Sequence, residues 1–178
     1  MAEGIIVRGW ALAAQGRAEE GIAQMHQGLA ALPATGVEVT RPYYPALLAE
    51  AYGGLGQIEE GLSVPAEALA VVRKSGEHFY EVELYRLKGT LTLQSKVQGP
   101  KSKVEKAEEC FQRAIEIACR QGAKSWELRA VMSLSRLWRK QGKKKEARRM
   151  LADIYSWFTE GFDTKDLQEA KALLHDLA

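Results

Sequence analysis

The chain has 178 residues, 46% apolar and 27% charged, with a formal net charge of +2, ordinary values for one average domain or one repeat array. Sixteen glycines and five prolines are too few for a disordered or fibrous chain, and no apolar run approaches the ~18 residues that cross a bilayer. The near-neutral balance excludes a polycation, and the opening MAEGIIVRGW, with no basic leader and with Arg8 in its apolar run, predicts no signal peptide.

Apolar and small residues recur at helical spacing throughout, and strand patterns are absent. The first pair of helices is expected at 2–15 and 17–31, around Gly16. A second pair is expected at 41–55 and 57–74, around Gly56, with Pro42 and Pro45 in its first turn, where a missing N–H costs little. Pro65 falls inside the second of these helices and should kink it or delay its start. The third pair, 77–96 and 103–121, is separated by SKVQGPKSK, where Gly99-Pro100 reads as a loop and Ser102 with Glu105 as a capping box. The fourth is expected at 123–141 and 143–159, around Gly142. A last helix, 164–177, with Asp163 or Thr164 at its start and Leu167, Ala170, Leu174 and Leu177 on one side, reads as a polar cap over the array.

The pairs share one register. Small residues stand at Gly9, Ala49, Gly89 and Ser135 in the first helices and at Gly21, Gly61, Ala107 and Ala147 in the second. Leu12, Tyr52, Thr92 and Trp138 follow the first set by three. Met25, Pro65, Phe111 and Leu151 follow the second set by four, and Gly28, Ala68, Ala114 and Ile154 by seven. With the six extra residues of the Gly99-Pro100 loop removed, the repeat is 40 residues long. Two antiparallel helices joined by a short turn approach closely only where both carry small side chains, and stacked hairpins then bury a continuous core. The reading is therefore one repeat domain over 1–178, with repeats at about 2–38, 39–75, 77–121 and 123–160 and a capping helix at 164–177.

This pattern resembles the tetratricopeptide (TPR) repeat at Gly9/Leu12/Gly16/Gly21/Met25/Gly28/Pro33, Ala49/Tyr52/Gly56/Gly61/Ala68, Gly89/Ala107/Phe111/Ala114 and Leu134/Trp138/Gly142/Ala147/Leu151. The resemblance implies an all-α, right-handed α–α superhelix of four hairpins plus the capping helix. A period of 40 against the usual value of about 34, Pro65 and Thr92 depart from the family pattern. A closer likeness, on ELYRLKGTLTL, AEECFQRAIEIACRQGAKSWELRAVMSLSRLWRKQGKKKEAR and IYSWFTEGFDTKDLQEAKALL, is to the C-terminal repeat region of large bacterial signalling ATPases and adenylate/guanylate cyclases. It implies a regulatory, partner-sensing segment. The chain itself has neither a GxxxxGK[ST] nor a GxGxxG motif.

Catalytic and metal chemistry finds little support. Glu19-Glu20 and Glu59-Glu60 sit where negative charge complements a helix dipole. His26, His78 and His175 are scattered, so no metal site and no cofactor are expected. Cys110 and Cys119, nine residues apart on one helix, lie on opposite faces about 13 Å apart. They read as buried helical residues in a reducing, cytoplasmic compartment.

The expected function is a non-catalytic scaffold that binds a peptide or protein segment on its concave face. Stepping along the first helix of each pair gives the candidate lining: Glu3, Ile6, Trp10 and Ala13; Tyr43, Ala46, Glu50 and Gly53; Glu83, Arg86, Thr90 and Gln94; Arg129, Met132, Arg136 and Lys140. Residues 1–89 hold seven Lys/Arg and eleven Asp/Glu, and residues 90–178 hold eighteen and twelve. The groove should therefore be aromatic and acidic at one end and basic at the other, where Arg136, Arg139, Lys140, Lys143, Lys144, Lys145, Arg148 and Arg149 cluster and an acidic protein partner would fit. Nucleic acid and membrane are not expected partners. A clamp for a C-terminal carboxylate is not expected either, because the chain has no Asn. The alternative is self-association, as a homodimer, through an uncapped first helix presenting Ile5, Ile6 and Trp10.

Overall fold

The computed structural model describes residues 2–32, 42–76, 78–96 and 99–178. The described residues form α1 (Ala2–Ala14), α2 (Ala18–Ala31), α3 (Tyr43–Leu55), α4 (Ile58–Ser75), α5 (Glu81–Gln94), α6 (Pro100–Gln121), α7 (Lys124–Lys140), α8 (Lys144–Tyr155) and α9 (Lys165–Asp176). No strand occurs among them. Pro33, the expected helix starts at 41 and 77, and the repeat boundary near 38 lie outside the described residues.

The small-residue register sets the hairpins. A methyl carbon placed on Gly21 would stand 2.3 Å from the Gly9 carbonyl oxygen, and one on Gly9 would stand 2.5 Å from the Gly21 oxygen. The backbones of α1 and α2 therefore touch without side chains between them. In the third hairpin a methyl carbon on Gly89 would meet the Phe111 ring at 2.7 Å. In the fourth the Ser135 hydroxyl, fully buried, donates to the Ala147 carbonyl at 3.3 Å. Met25, Pro65, Phe111 and Leu151 are buried in turn behind these contacts. Thr92, buried in the third hairpin, satisfies its hydroxyl on the Lys88 carbonyl one turn back, at 2.7 Å. Gly56 ends α3 at φ +80°, a left-handed conformation open mainly to glycine.

Of the two expected effects of Pro65 the late start does not occur, and three other expected boundaries are corrected. Helix α4 begins at Ile58 and runs through Pro65. Its buried stripe of Gly61, Pro65, Ala68, Leu69 and Val72 holds the helix although one backbone hydrogen bond is lost. Helix α6 begins at Pro100, not at 103, with extended Gly99 before it and no side-chain cap. Proline's fixed φ is already helical at the first position, which leaves Ser102 inside the first turn instead of capping it. Helix α5 begins only at Glu81, after a turn at Phe79 and Tyr80. Helix α8 stops at Tyr155, where Trp157 and Phe158 donate to the Ile154 and Tyr155 carbonyls in tightened turns.

The first helices of successive hairpins touch one another: α1 with α3, α3 with α5, α5 with α7 and α7 with α9. The backbones of the second helices, α2, α4, α6 and α8, do not approach one another as closely among the described residues. An array packed closely along one row and spread along the other curves towards the close row. That curvature puts α1, α3, α5, α7 and α9 on the concave side. Helix α9, expected as a cap, packs on both α7 and α8 through Leu167, Ala170, Leu173 and Leu177. It thereby continues the concave row by one helix.

Candidate functional site: the concave groove

The concave row borders an open cavity of about 520 Å³ lined from all five of its helices. Trp10, Tyr43, Ala46, Glu50, Glu83, Arg86, Arg129, Met132 and Arg136 line it, as the sequence register placed them. A second hollow of about 310 Å³ beside it takes Glu50, Gly53, Arg86, Thr90 and Gln94. Arg139 and Lys140 line neither. Ala13 packs into the first core cluster and Ile6 is fully buried there, because a helix this close to its partner turns those positions inward. A methyl carbon on Gly28 would stand 2.5 Å from the Ile6 side chain. Ile6 therefore offers nothing to a second copy, Ile5 is half-buried, and Trp10 is engaged in the groove.

Two chemistries make up the lining. One is a strip of aromatic rings: Tyr43 and Tyr80 have centroids 4.9 Å apart, and Tyr80 and Trp126 5.9 Å apart. The Arg129 guanidinium stands 5.3 Å from the Trp126 ring centre, within cation–π range. Burial, and then the neighbouring Tyr43, push the Tyr80 hydroxyl above its ordinary pKa. The other chemistry is a ladder of paired charges. Arg86 grips Glu83 with two hydrogen bonds, 2.8 Å from Nε and 2.7 Å from an Nη. Burial works against the Arg86 charge, but the hydrogen bonds and charge of Glu83, with Glu50 and Asp166 further off, hold its pKa above the ordinary value. Arg129 lies 3.3 Å from Glu83 and 3.8 Å from Asp166, and Arg136 donates to Glu169 at 2.7 Å. The Trp10 indole N–H donates to Glu50 at 2.9 Å, tying α1 to α3.

The arginines expected to make one end of the groove basic are largely neutralised. Arginines on α7 pair with carboxylates on α9: Arg129 with Asp166, Arg136 with Glu169 and Arg139 with Asp176 at 2.6 Å. The cavity lining carries four acids (Glu50, Glu83, Asp166, Glu169) and four bases (Arg86, Arg129, Arg136, Lys165). Sequence stepping missed Leu47, Tyr80, Leu87, Trp126, Lys165, Asp166 and Glu169. A signal existed for two of them. Tyr80 and Trp126 both stand nine residues before the small residue of their helix, one turn upstream of Glu83 and Arg129.

No group of three or more metal-ligating side chains occurs among the described residues, and none of their helices is long and apolar enough to cross a membrane. Both cysteines are free. Cys119 is exposed and Cys110 half-buried, which corrects the reading of both as buried.

No family model and no curated protein matches the chain. Solved structures do. A TPR-like-repeat kinesin light chain of Podosopora anserina superposes with a TM-score of 0.71 at 16% identity, covering 98% of this chain and 84% of that one. Apo RapI gives a TM-score of 0.73 at 13% identity over 99% of this chain and 62% of the other. BtubC from P. vanneervenii gives 0.74 at 17%, over 98% and 70%. The chain folds as a TPR-like helical solenoid. At these identities the likeness extends to the fold and leaves the solenoid's partner to be argued from its own groove.

Proposed function

We propose that the solenoid is a non-catalytic interaction scaffold whose concave groove holds an extended polypeptide segment. The supporting observation is the meeting of five helices at one open cavity lined by an aromatic strip and an ion-pair ladder. Rigid aromatic rings bury apolar area at low entropic cost, and such residues dominate binding energies at interfaces. The ladder already satisfies most of its own charges, so it favours a segment of mixed charge over a strongly acidic one. The partner residues are Trp10, Tyr43, Glu50, Glu83, Arg86, Arg129, Met132 and Arg136, joined by Tyr80 and Trp126, with Thr90 and Gln94 in the side hollow. A regulatory role in a bacterial, cytoplasmic signalling protein is the setting that the sequence resemblance implies for such a scaffold.

The test is selection of peptides from a displayed random library on the intact chain, followed by titration against Trp126→Ala and Tyr43→Ala. Loss of at least tenfold in affinity for each, with the helical signal unchanged, supports the groove. Selected peptides that bind both variants as tightly as the parent would refute it.

A further inference from the structure

With the α7 arginines tied to α9, the cations left over lie elsewhere. Lys140, Lys144, Lys145, Arg148 and Arg149 are exposed and in no ion pair among the described residues. Four of them are on α8, which belongs to the convex row. Lys144 and Lys145 occupy the first turn of that helix together with Glu146. The equivalent first turns of α2 and α4 carry Glu19-Glu20 and Glu59-Glu60.

A complementary surface exists at the other end of the convex row. A cleft of about 470 Å³ opens between α2 and α4 over α3. Its floor is apolar, from Leu29, Pro45, Leu48 and Val64, and its rim carries Glu60 and Glu67. Both glutamates are exposed and in no ion pair among the described residues. Past them on α4 stands Val71, 43% exposed. Just beyond the C-terminal end of α8, the helix that carries Lys145 and Arg148, stands Trp157, 58% exposed.

We propose that the solenoid associates head to tail with a second copy of itself, the basic α8 face of one copy docking on the acidic α2–α4 cleft of the next. The two surfaces are opposite in charge, and each has an exposed apolar residue beside it, Val71 on one and Trp157 on the other. The contact joins two different surfaces, so it is heterologous and leaves a free face at each end. Association therefore rises with concentration without stopping at a dimer. It is distinct from peptide capture, which uses the opposite side of the molecule, and the two readings fail separately.

Sedimentation velocity of the intact chain at ionic strengths of about 0.01 and 1 M, where charges are screened over about 30 and 3 Å, tests the proposal. The average mass should climb with concentration at low salt and return to that of a monomer at high salt. Lys145→Glu/Arg148→Glu and Glu60→Lys/Glu67→Lys should each stay monomeric alone, yet the two mixed should form complexes, since each retains the face the other needs. A parent that is monomeric at low salt, a mixture that does not associate, or a variant that assembles like the parent would overturn it.

Discussion

Replacing Gly21 by Ala pits two effects of opposite sign against each other. Alanine is the better helix former by about 1 kcal/mol, so propensity alone makes Gly21→Ala stabilising. Yet its methyl carbon would lie 2.3 Å from the Gly9 oxygen and 2.8 Å from the Ala13 nitrogen. Both atoms are backbone and cannot swing aside as a side chain would. Restoring ordinary contact requires α1 and α2 to part by about 1 Å, and overpacking of this kind costs about 1–3 kcal/mol. The net expectation is a loss of about 1 kcal/mol. Gly54, in α3, is the internal control: a methyl carbon there has nothing within 4 Å, so Gly54→Ala should gain up to about 1 kcal/mol. The two variants should then melt about 4–8 °C apart, at about 2–4 °C per kcal/mol for a chain of this length. A terminal hairpin in a one-dimensional array opens partly on its own, so hydrogen exchange in α1 and α2 should accompany the melts. Gly21→Ala as stable as Gly54→Ala, with unchanged exchange in α1, would refute the close-packing account.

Ala107→Leu and Ala147→Leu, at fully buried positions, should each cost about 1–3 kcal/mol in denaturant titrations. Glu83→Ala strands the buried Arg86 guanidinium and should cost roughly 3–5 kcal/mol, whereas Arg139→Gln, which breaks an exposed pair with Asp176, should cost less than about 1 kcal/mol; equal losses would contradict the burial difference. The Cys110 thiol pKa is raised chiefly by burial, and that of Cys119 by burial and then by Glu127. Because only the thiolate attacks, both should react slowly with a disulfide reagent at neutral pH and faster in alkali. Cys119, being exposed, should go first, and Cys110 reacting at the rate of a free small thiol at pH 7 would show that its environment is wrongly described.

The hairpin register was legible because backbone proximity admits only small side chains, and that restriction repeats every 40 residues at Gly9, Ala49 and Gly89. Most of the groove lining followed by counting from those positions. What escaped is of two kinds. Ile6 sits at a groove-facing register position, but the missing side chains of Gly9 and Gly21 let α1 sink so close to α2 that it points into the core. The partners of Arg136 and Arg139 lie 33 and 37 residues further along the chain, on α9, and a charge run read locally counts such arginines as free. A basic stretch shows its true surplus only after distant carboxylates have been assigned, and here that moved the surplus from α7 to α8.

The close contacts behind the groove also act as spacers. Glycine faces glycine in the first hairpin, glycine faces a phenyl ring in the third, and serine bonds to an alanine carbonyl in the fourth. Each pairing sets the thickness of one wedge in the arc, and the wedges together set its radius. The shape of the groove is thus tuned from residues that do not line it. A methyl group added at the back of one hairpin would change the separation and tilt of rings that stand on the opposite side of the molecule.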